Sequence, residues 1–128
     1  MKLLFDTHLL LWAAGMPERL PSEARAALED AAVEPVFSVA SLWEVAIKQS
    51  LGRVDFVVSV HELRRGLLEN GYVELPVEGR HALAVAGLPP IHRDPFDRML
   101  IAQAQVEEMP LITADSALAR YPGPVRAV

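Results

Sequence analysis

The chain has 128 residues, a length typical of one domain, and its 52% of hydrophobic residues can build a full core. It contains no cysteine, which excludes a disulfide framework and thiolate chemistry. Its 17 acidic and 12 basic residues give a net charge of −5, whereas nucleic-acid binders are usually basic.

The apolar N-terminal segment is interrupted too early for a targeting or membrane sequence. Asp6 and His8 break the run that begins Met1-Lys2-Leu3-Leu4-Phe5, and no convincing small-residue cleavage site follows. The sequence has no stretch of about 18 uninterrupted apolar residues, which a transmembrane helix requires. We therefore expect a cytoplasmic protein with a single domain over residues 1–128.

The first third of the chain alternates between strand and helix patterns. Residues 2–5 are predicted to form a strand and residues 7–14 a helix. Pro21-Ser22-Glu23 opens a second helix, which is expected to continue to about Ala32. A second strand is predicted over residues 36–39.

Two capping-box patterns predict the next two helices. In the first, Ser41 is the expected N-cap and Glu44 the third helical residue, with the helix continuing to about Leu51. In the second, Ser59 and Glu62 have the same roles, and the helix ends near residues 70–71.

The C-terminal half continues the alternation. Asp94-Pro95 is a strong helix start, with Asp as N-cap and Pro at the first helical position. The other predicted elements are strands at 72–75, 111–113 and 125–127, a helix at 78–86 and a short helix at 116–120.

Strands separated by helices predict βαβ units and therefore an α/β fold. We expect a three-layer α/β/α sandwich with a mostly parallel central sheet, covered by helices on both faces. Right-handed crossovers place the carboxyl ends of all parallel strands at one edge, and ligands of such sheets bind outside those ends.

Four carboxylates are predicted to meet at that edge. Asp6 and Asp115 directly follow strands, Glu44 lies in the helix after a strand, and Asp97 lies in the first turn of the helix that starts at Asp94. Converging carboxylates repel each other, and a hard divalent cation such as Mg²⁺ or Mn²⁺ is the usual reason to tolerate this.

Each acid also has an ordinary structural interpretation. Asp6, Asp94 and Asp115 can cap helices, Glu44 can complete a capping box, and Asp97 can favour the positive end of a helix dipole. Capping does not explain why all these helix starts face the same edge. Capping and ligation are also compatible roles.

The acid cluster also accounts for the net charge. Without Asp6, Glu44, Asp94, Asp97 and Asp115 the chain has 17 − 5 = 12 acids against 12 bases. A cation bound at the cluster would therefore leave a surface that permits a polyanionic substrate.

The absence of other catalytic motifs limits the reactions that the chain can be expected to catalyse. The chain has no GxxxxGK[ST] loop, no cysteine and no recognisable Ser-His-Asp arrangement, so metal-dependent phosphodiester hydrolysis is the most economical interpretation. No metal-ligand spacing is found among the four histidines, which are expected at the surface or in loops: His8, His61, His81 and His92.

Four segments resemble PIN domains, and most closely the toxin component of VapBC-type toxin–antitoxin pairs. They occur in the expected order and span essentially the whole chain: Leu4-Phe5-Asp6-Thr7, Ser38-Val39-Ala40-Ser41-Leu42-Trp43-Glu44, Asp94-Pro95-Phe96-Asp97-Arg98-Met99-Leu100-Ile101-Ala102 and Leu111-Ile112-Thr113-Ala114-Asp115.

The resemblance implies a Mg²⁺- or Mn²⁺-dependent endoribonuclease with a three-layer fold. By position, the acidic metal-binding quartet is Asp6, Glu44, Asp97 and Asp115, and Thr113 matches a hydroxyl residue that supports the last acid. Asp94 could be a cap, a supporting group or an alternative ligand. The family also implies a homodimer and a small antitoxin whose C-terminal segment covers the site.

Other side chains have two interpretations each. Arg93, Arg98 and Lys48 are candidate contacts to RNA phosphates, and Lys48 could equally form a helix-surface pair with Glu44. Segment 54–68 could be a partner surface or core through Val57, Val58, Val60, Leu63 and Leu67. Core or groove packing is expected for Trp12 and Trp43.

Two competing functions remain at this stage. An aspartate phosphohydrolase usually has a second Asp two residues after the first, and here His8 occupies that position. The other alternative is a regulatory or scaffold domain on the same fold, in which the acids only cap helices.

Overall fold

A computed structural model of the chain describes residues 1–53 and 58–128. In these ranges the α-helices are α1 (Thr7–Gly15), α2 (Ser22–Glu29), α3 (Val39–Ser50), α4 (Val60–Glu69), α5 (Gly79–Val85) and α6 (Pro95–Glu107). The strands are β1 (Lys2–Phe5), β2 (Glu34–Ser38), β3 (Val73–Leu75), β4 (Leu111–Thr113) and β5 (Val125–Ala127). Short 3-10 helices span Pro17–Arg19 and Ser116–Arg120.

The strands form one parallel sheet in the order β3-β2-β1-β4-β5. In the centre, Leu4 of β1 is in register with Val36 of β2 on one side and with Leu111 of β4 on the other. The chain builds the sheet outwards from β1 to β3, then returns to place β4 on the opposite side of β1. The switch point of the topology therefore lies between β1 and β4, where ligands bind in open α/β sheets.

Both faces of the sheet are buried, which confirms the predicted α/β architecture. Side chains alternate along β1, so that Leu3 and Phe5 pack into one core and Leu4 into the other. The first core contains buried residues of α1, α2 and α4, and the second contains those of α6. Helix α3 contributes Val45 to the first core and Ala40 to the second.

The predicted capping box at Ser41 and Glu44 is wrong. Helix α3 begins at Val39, and the hydroxyl of Ser38 accepts the backbone N–H of Ala40 at 3.0 Å. Strand β2 passes directly into the helix, so Ser38 meets the first unpaired N–H groups before Ser41 can. Glu44 is consequently an interior helix residue and is only 2% exposed.

Helix α2 is shorter than the predicted range to Ala32. It ends at Glu29, and the Asp30 carboxylate accepts the N–H of Ala32 at 2.9 Å. This side-chain hydrogen bond stabilises a turn, which competes with continuation of the helix. The Ser59 cap is present, since its hydroxyl accepts the N–H of Glu62 at 3.5 Å.

Segment 54–68 packs largely as core where it is described. Leu63 and Leu67 are each 2% exposed, and Val58 and Val60 pack against the same cluster. Val57 lies outside the described residues. No helix among residues 1–53 and 58–128 is long and apolar enough to span a bilayer.

Candidate functional site

Asp6 lies where β1 meets α1, next to the switch point. One carboxylate oxygen caps α1 by accepting the N–H of Leu9 at 3.0 Å. The other accepts the Thr113 hydroxyl at 2.5 Å and the Ala114 N–H at 3.0 Å, both at the end of β4. Burial raises the pKa of Asp6, and these hydrogen bonds oppose the rise by stabilising the charged form.

Thr113 connects the first and last acids. Its hydroxyl donates to Asp6 and accepts the backbone N–H of Asp115 at 3.0 Å. Asp115 then caps the following 3-10 helix through the N–H of Ala117 at 2.9 Å. The carboxylate of Asp115 is the most open part of this region, with 47% of its side chain exposed.

Glu44 is held by two neighbours inside the protein. The hydroxyl of Thr7, the first residue of α1, donates to one carboxylate oxygen at 2.5 Å and lies 2.9 Å from the Ser41 hydroxyl. The Lys48 ammonium donates to the other oxygen, also at 2.5 Å. Sequence reasoning assigned no role to Thr7, although it follows Asp6 directly and is 2% exposed.

Within the described part of the chain, Lys48 contacts two acids. The predicted pair with Glu44 is present, and the same ammonium is 3.3 Å from Asp94. Burial would lower the pKa of Lys48, but the hydrogen bond and charge of Glu44, together with Asp94, outweigh this and raise the pKa. Asp94 itself caps α6 through the N–H groups of Phe96 at 2.8 Å and Asp97 at 3.2 Å.

Asp97 is the point on which the acids converge. Burial, followed by the charges of Asp94, Glu44 and Asp6, raises its pKa to about 7. One of its carboxylate oxygens lies within 4.8 Å of an oxygen of Asp115. The fold thus brings the four predicted acids to one edge of the sheet, with Asp94 beside them.

The Asp97 carboxylate is a candidate ligand for a cation. Only 20% of its side chain is exposed, and among the described residues no N–H or O–H group donates a hydrogen bond to it. A mostly buried carboxylate is costly without such a partner. Asp97 and Asp115 each offer a carboxylate oxygen here, the ligand type that Mg²⁺ and Mn²⁺ prefer.

An open cleft of about 420 Å³ adjoins these acids at the switch point. It is lined by Asp6, His8, Trp12, Ala114, Asp115 and Ser116. Asp115 is the acid that this cleft exposes, because 47% of its side chain is open, whereas Asp6 is only 5% exposed.

Two of the predicted RNA-contacting cations are bound to protein groups. Arg98 donates to the carbonyl oxygens of Pro89 at 2.9 Å and Val85 at 3.3 Å and to the Tyr121 hydroxyl at 3.2 Å. Lys48 is the second, and its contacts to acids are described above. The Arg93 side chain, in contrast, is exposed.

The two tryptophans lie in different environments. Trp12 is partly buried against the first core, with the Arg19 guanidinium 5.0 Å from its ring centre. Trp43 is 60% exposed, and its ring contacts Phe96 edge-on at 5.0 Å. Trp12 therefore packs against the core as expected, whereas Trp43 packs against Phe96 and most of its surface is exposed.

Two histidines have acid neighbours that the sequence spacing did not indicate. His81, expected at the surface or in a loop, is instead fully buried in α5, where its Nε2 lies 2.7 Å from Glu107. His92 is in the loop before α6, with Nε2 3.5 Å from Asp115 and Nδ1 3.8 Å from Asp97. Sequence spacing fails here because the partners belong to distant elements.

Comparisons with known proteins agree with this geometry. The family model for the PIN domain matches residues 3–124 of the chain. A search of curated proteins finds no significant match.

Several solved structures share the fold over nearly the full length of both chains. VapBC2 from Rickettsia felis, bound to a promoter DNA fragment, superposes with a TM-score of 0.73 at 14% identity, covering 99% of this chain and 98% of that one. DNA-bound VapBC from Salmonella typhimurium superposes with a TM-score of 0.70 at 15% identity, covering 99% of this chain and 98% of that one. VapBC-1 from nontypeable Haemophilus influenzae superposes with a TM-score of 0.61 at 16% identity, again covering 99% of this chain and 98% of that one. At these identities the likeness establishes the fold alone.

Proposed function

Because the chain belongs to the PIN domain family, whose members are generally nucleases, we propose that it is a metal-dependent endoribonuclease. The proposed reaction is hydrolysis of RNA phosphodiester bonds with Mg²⁺ or Mn²⁺ as the cofactor. The proposed catalytic metal ligands are Asp6, Glu44, Asp97 and Asp115, with Thr113 in support.

One observation carries this proposal. The Asp97 carboxylate is mostly buried, lacks a hydrogen-bond donor among the described residues and lies beside the charges of Asp94, Glu44 and Asp6. A divalent cation would offset this repulsion, and it would supply electrostatic stabilisation of charge on a phosphoryl group.

The chain's own residues prepare the site for that chemistry. Thr7 and Lys48 fix the orientation of Glu44, and Thr113 fixes that of Asp6. Asp97, with its pKa raised to about 7, must lose a proton before it can act as a ligand. We therefore expect metal loading to become stronger as the pH rises through neutrality.

For the substrate backbone, Arg93 is the preferred contact of the three predicted cations. Its side chain is exposed next to Asp94, whereas Lys48 and Arg98 already bind protein groups. Phosphate contacts of this kind position RNA without reading its sequence.

We propose further that the protein is the toxin of a type II toxin–antitoxin pair in the cytoplasm and forms a homodimer. The solved VapBC structures support an antitoxin partner. A groove of about 490 Å³ between α1, α2 and α4 is a candidate surface for it, with apolar residues such as Leu20 and Leu28 beside the charged Arg25 and Glu29. Of the predicted partner segment, Val58 lines this groove, whereas Leu63 and Leu67 at its base are core residues. Coexpression with the product of any small open reading frame found beside its gene, followed by size-exclusion chromatography, tests this assignment.

The alternative function is a regulatory or scaffold domain whose acids only cap helices. The caps at Asp6, Asp94 and Asp115 are present and agree with it. Capping does not explain the position of Asp97, whose carboxylate is turned towards other acids. A scaffold domain would show no thermal stabilisation by Mn²⁺.

The test is cleavage of a mixed RNA substrate by the purified protein. We expect cleavage with Mg²⁺ or Mn²⁺, none with EDTA, and a loss of at least about 100-fold in Asp6→Asn and Asp97→Asn. Glu69→Gln, a change at an exposed position of α4, is the matched control and should cleave like the wild type. Undiminished cleavage in both site variants, with folding intact, would disprove the assigned site.

A further inference from the structure

His92 faces two of the acids from a loop that the protein holds firmly in place. Its backbone N–H donates to the Tyr121 hydroxyl at 2.6 Å, and Tyr121 also lies 3.3 Å from the His92 carbonyl oxygen. Arg98 binds the same hydroxyl at 3.2 Å and the Pro89 carbonyl oxygen at 2.9 Å. The imidazole therefore projects from a braced segment, and 26% of the side chain is exposed.

One hydrogen bond of the ring identifies its tautomer. Nδ1 accepts the backbone N–H of Asp94 at 3.1 Å, so in the neutral ring this nitrogen carries the lone pair. The proton of the neutral imidazole is then on Nε2, which faces the Asp115 carboxylate at 3.5 Å. Nε2 in this state is a hydrogen-bond donor and has no lone pair to offer a metal.

The open oxygen of Asp115 is the group that this donor can control. One Asp115 oxygen is fixed by the cap to Ala117, whereas the other faces His92. Among the described residues no side chain is hydrogen-bonded to that carboxylate, and its one side-chain ion-pair contact is the 3.5 Å approach of His92 Nε2. Asp115 is also the more exposed of the two acids beside the ring, with 47% of its side chain open against 20% for Asp97.

We propose that His92 is a positioning residue that donates from Nε2 to Asp115 and thereby orients this acid towards Asp97. The inference rests on the proposed function, because it assigns His92 to the same site. One ligand atom each of His92, Asp97 and Asp115 lies within 4.8 Å of the others, but an Nε2 that carries a proton cannot bind a cation together with the two acids. Groups that orient metal ligands in this way typically change affinity 10- to 100-fold when removed.

The test compares three substitutions by Mn²⁺ titration calorimetry. His92→Phe keeps a planar ring without a donor, His92→Gln places an amide N–H near the Nε2 position, and His92→Asn places one near Nδ1. We expect about 10- to 100-fold weaker Mn²⁺ binding in His92→Phe and His92→Asn and recovery to within about threefold in His92→Gln. In an Asp115→Asn background, His92→Phe should have little further effect.

A second measurement needs no metal. Ring ¹⁵N chemical shifts of the metal-free protein at about pH 8 report which nitrogen carries the proton. We expect the Nε2-protonated tautomer, and an Nδ1-protonated ring would overturn the inference. Equal Mn²⁺ affinity in His92→Phe and wild type would overturn it as well. If the wild type binds no Mn²⁺, the proposed function fails. The ring tautomer is then a separate test of whether His92 can donate from Nε2 to Asp115.

Discussion

At the scale of single residues, Asp97 carries the electrostatic cost of the acid cluster. Burial and three neighbouring acids raise its pKa to about 7, so the metal-free protein holds a proton there that the unfolded chain would release near the ordinary value of 3.8. The site is therefore destabilising when it is empty and ionised. Such a cost at one residue is typical of a position selected for binding.

This cost predicts how stability depends on pH. Between about pH 4 and pH 7 the folded metal-free protein binds more protons than the unfolded chain, so its stability should fall as the pH rises. Asp97→Asn removes the contribution of Asp97 to that fall, whereas Asp6, whose pKa burial also raises, still contributes. After allowance for partial exposure, the variant should be roughly 1–2 kcal/mol more stable than the wild type above pH 7. Urea unfolding in EDTA at several pH values measures this.

The control for that experiment is Glu69→Gln, at an exposed position of α4. It should follow the wild-type pH profile. A wild-type stability that rises between pH 4 and pH 7, while Asp97→Asn follows the same curve, would show that Asp97 is not the strained acid.

Thr7 carries the second residue-scale prediction. Its hydroxyl is a donor to a Glu44 oxygen inside the protein, so Thr7→Val leaves that oxygen without the donor while preserving the shape of the side chain. We expect Mn²⁺ affinity to fall about 10-fold or more in Thr7→Val and to stay near wild type in Thr7→Ser. An unchanged affinity in Thr7→Val, measured by calorimetry, would contradict the role given to this hydroxyl.

Sequence reasoning could predict the acids but not the groups that hold them. Asp6, Glu44, Asp97 and Asp115 each belong to a local pattern next to a strand or a helix start. Thr7 has no such pattern, because its contact with Glu44 spans 37 positions of the chain. His92 likewise meets Asp115 only after β4 is paired with β1.

At the scale of elements, three acids combine capping with a second contact. In Asp6, Asp94 and Asp115 one carboxylate oxygen accepts a backbone N–H of the following helix. The other oxygen faces Thr113 in the first case, Lys48 in the second and His92 in the third. The helix starts therefore fix one oxygen of each carboxylate, and the other oxygen contacts a side chain of the site.

Substitutions of Asp94 can distinguish its role as a helix cap from a role as a metal ligand. Asn caps a helix as well as Asp does, so Asp94→Asn should keep the stability of α6, whereas Asp94→Ala should lose about 1 kcal/mol. If Asp94 is a cap and not a ligand, Asp94→Asn should also keep Mn²⁺ affinity within about threefold. Thermal unfolding and calorimetry on both variants give the answer, and a 100-fold loss in Asp94→Asn would make Asp94 a ligand.

Element boundaries were the least predictable feature of the fold. The Ser41–Glu44 spacing fits a capping box, yet Ser38 is the cap because β2 leads into α3 without a loop. The same displacement moves Glu44 from a helix end to a buried interior position, where Thr7 and Lys48 can reach it. A local pattern cannot reveal this, because the end of β2 depends on pairing with β1 and β3.

At the scale of the whole molecule, sheet order turns separate helix starts into one site. Alternation of strand and helix patterns was enough to predict a parallel sheet, but not the order β3-β2-β1-β4-β5. That order puts β4 beside β1 and so brings Asp115 to Asp6, although they are far apart in the chain. Pairing between distant strands depends on packing of the complete core, which a one-dimensional pattern does not specify.

We propose that this edge of the sheet binds a divalent cation through its acids. Titration of the metal-free protein with Mn²⁺ in a calorimeter, at about pH 7.5, tests it most directly. We expect saturable binding by the wild type and by Glu69→Gln, with at least about 100-fold weaker binding in Asp6→Asn and Asp97→Asn. Absence of binding by the folded wild type, or equal binding by both site variants, would contradict it.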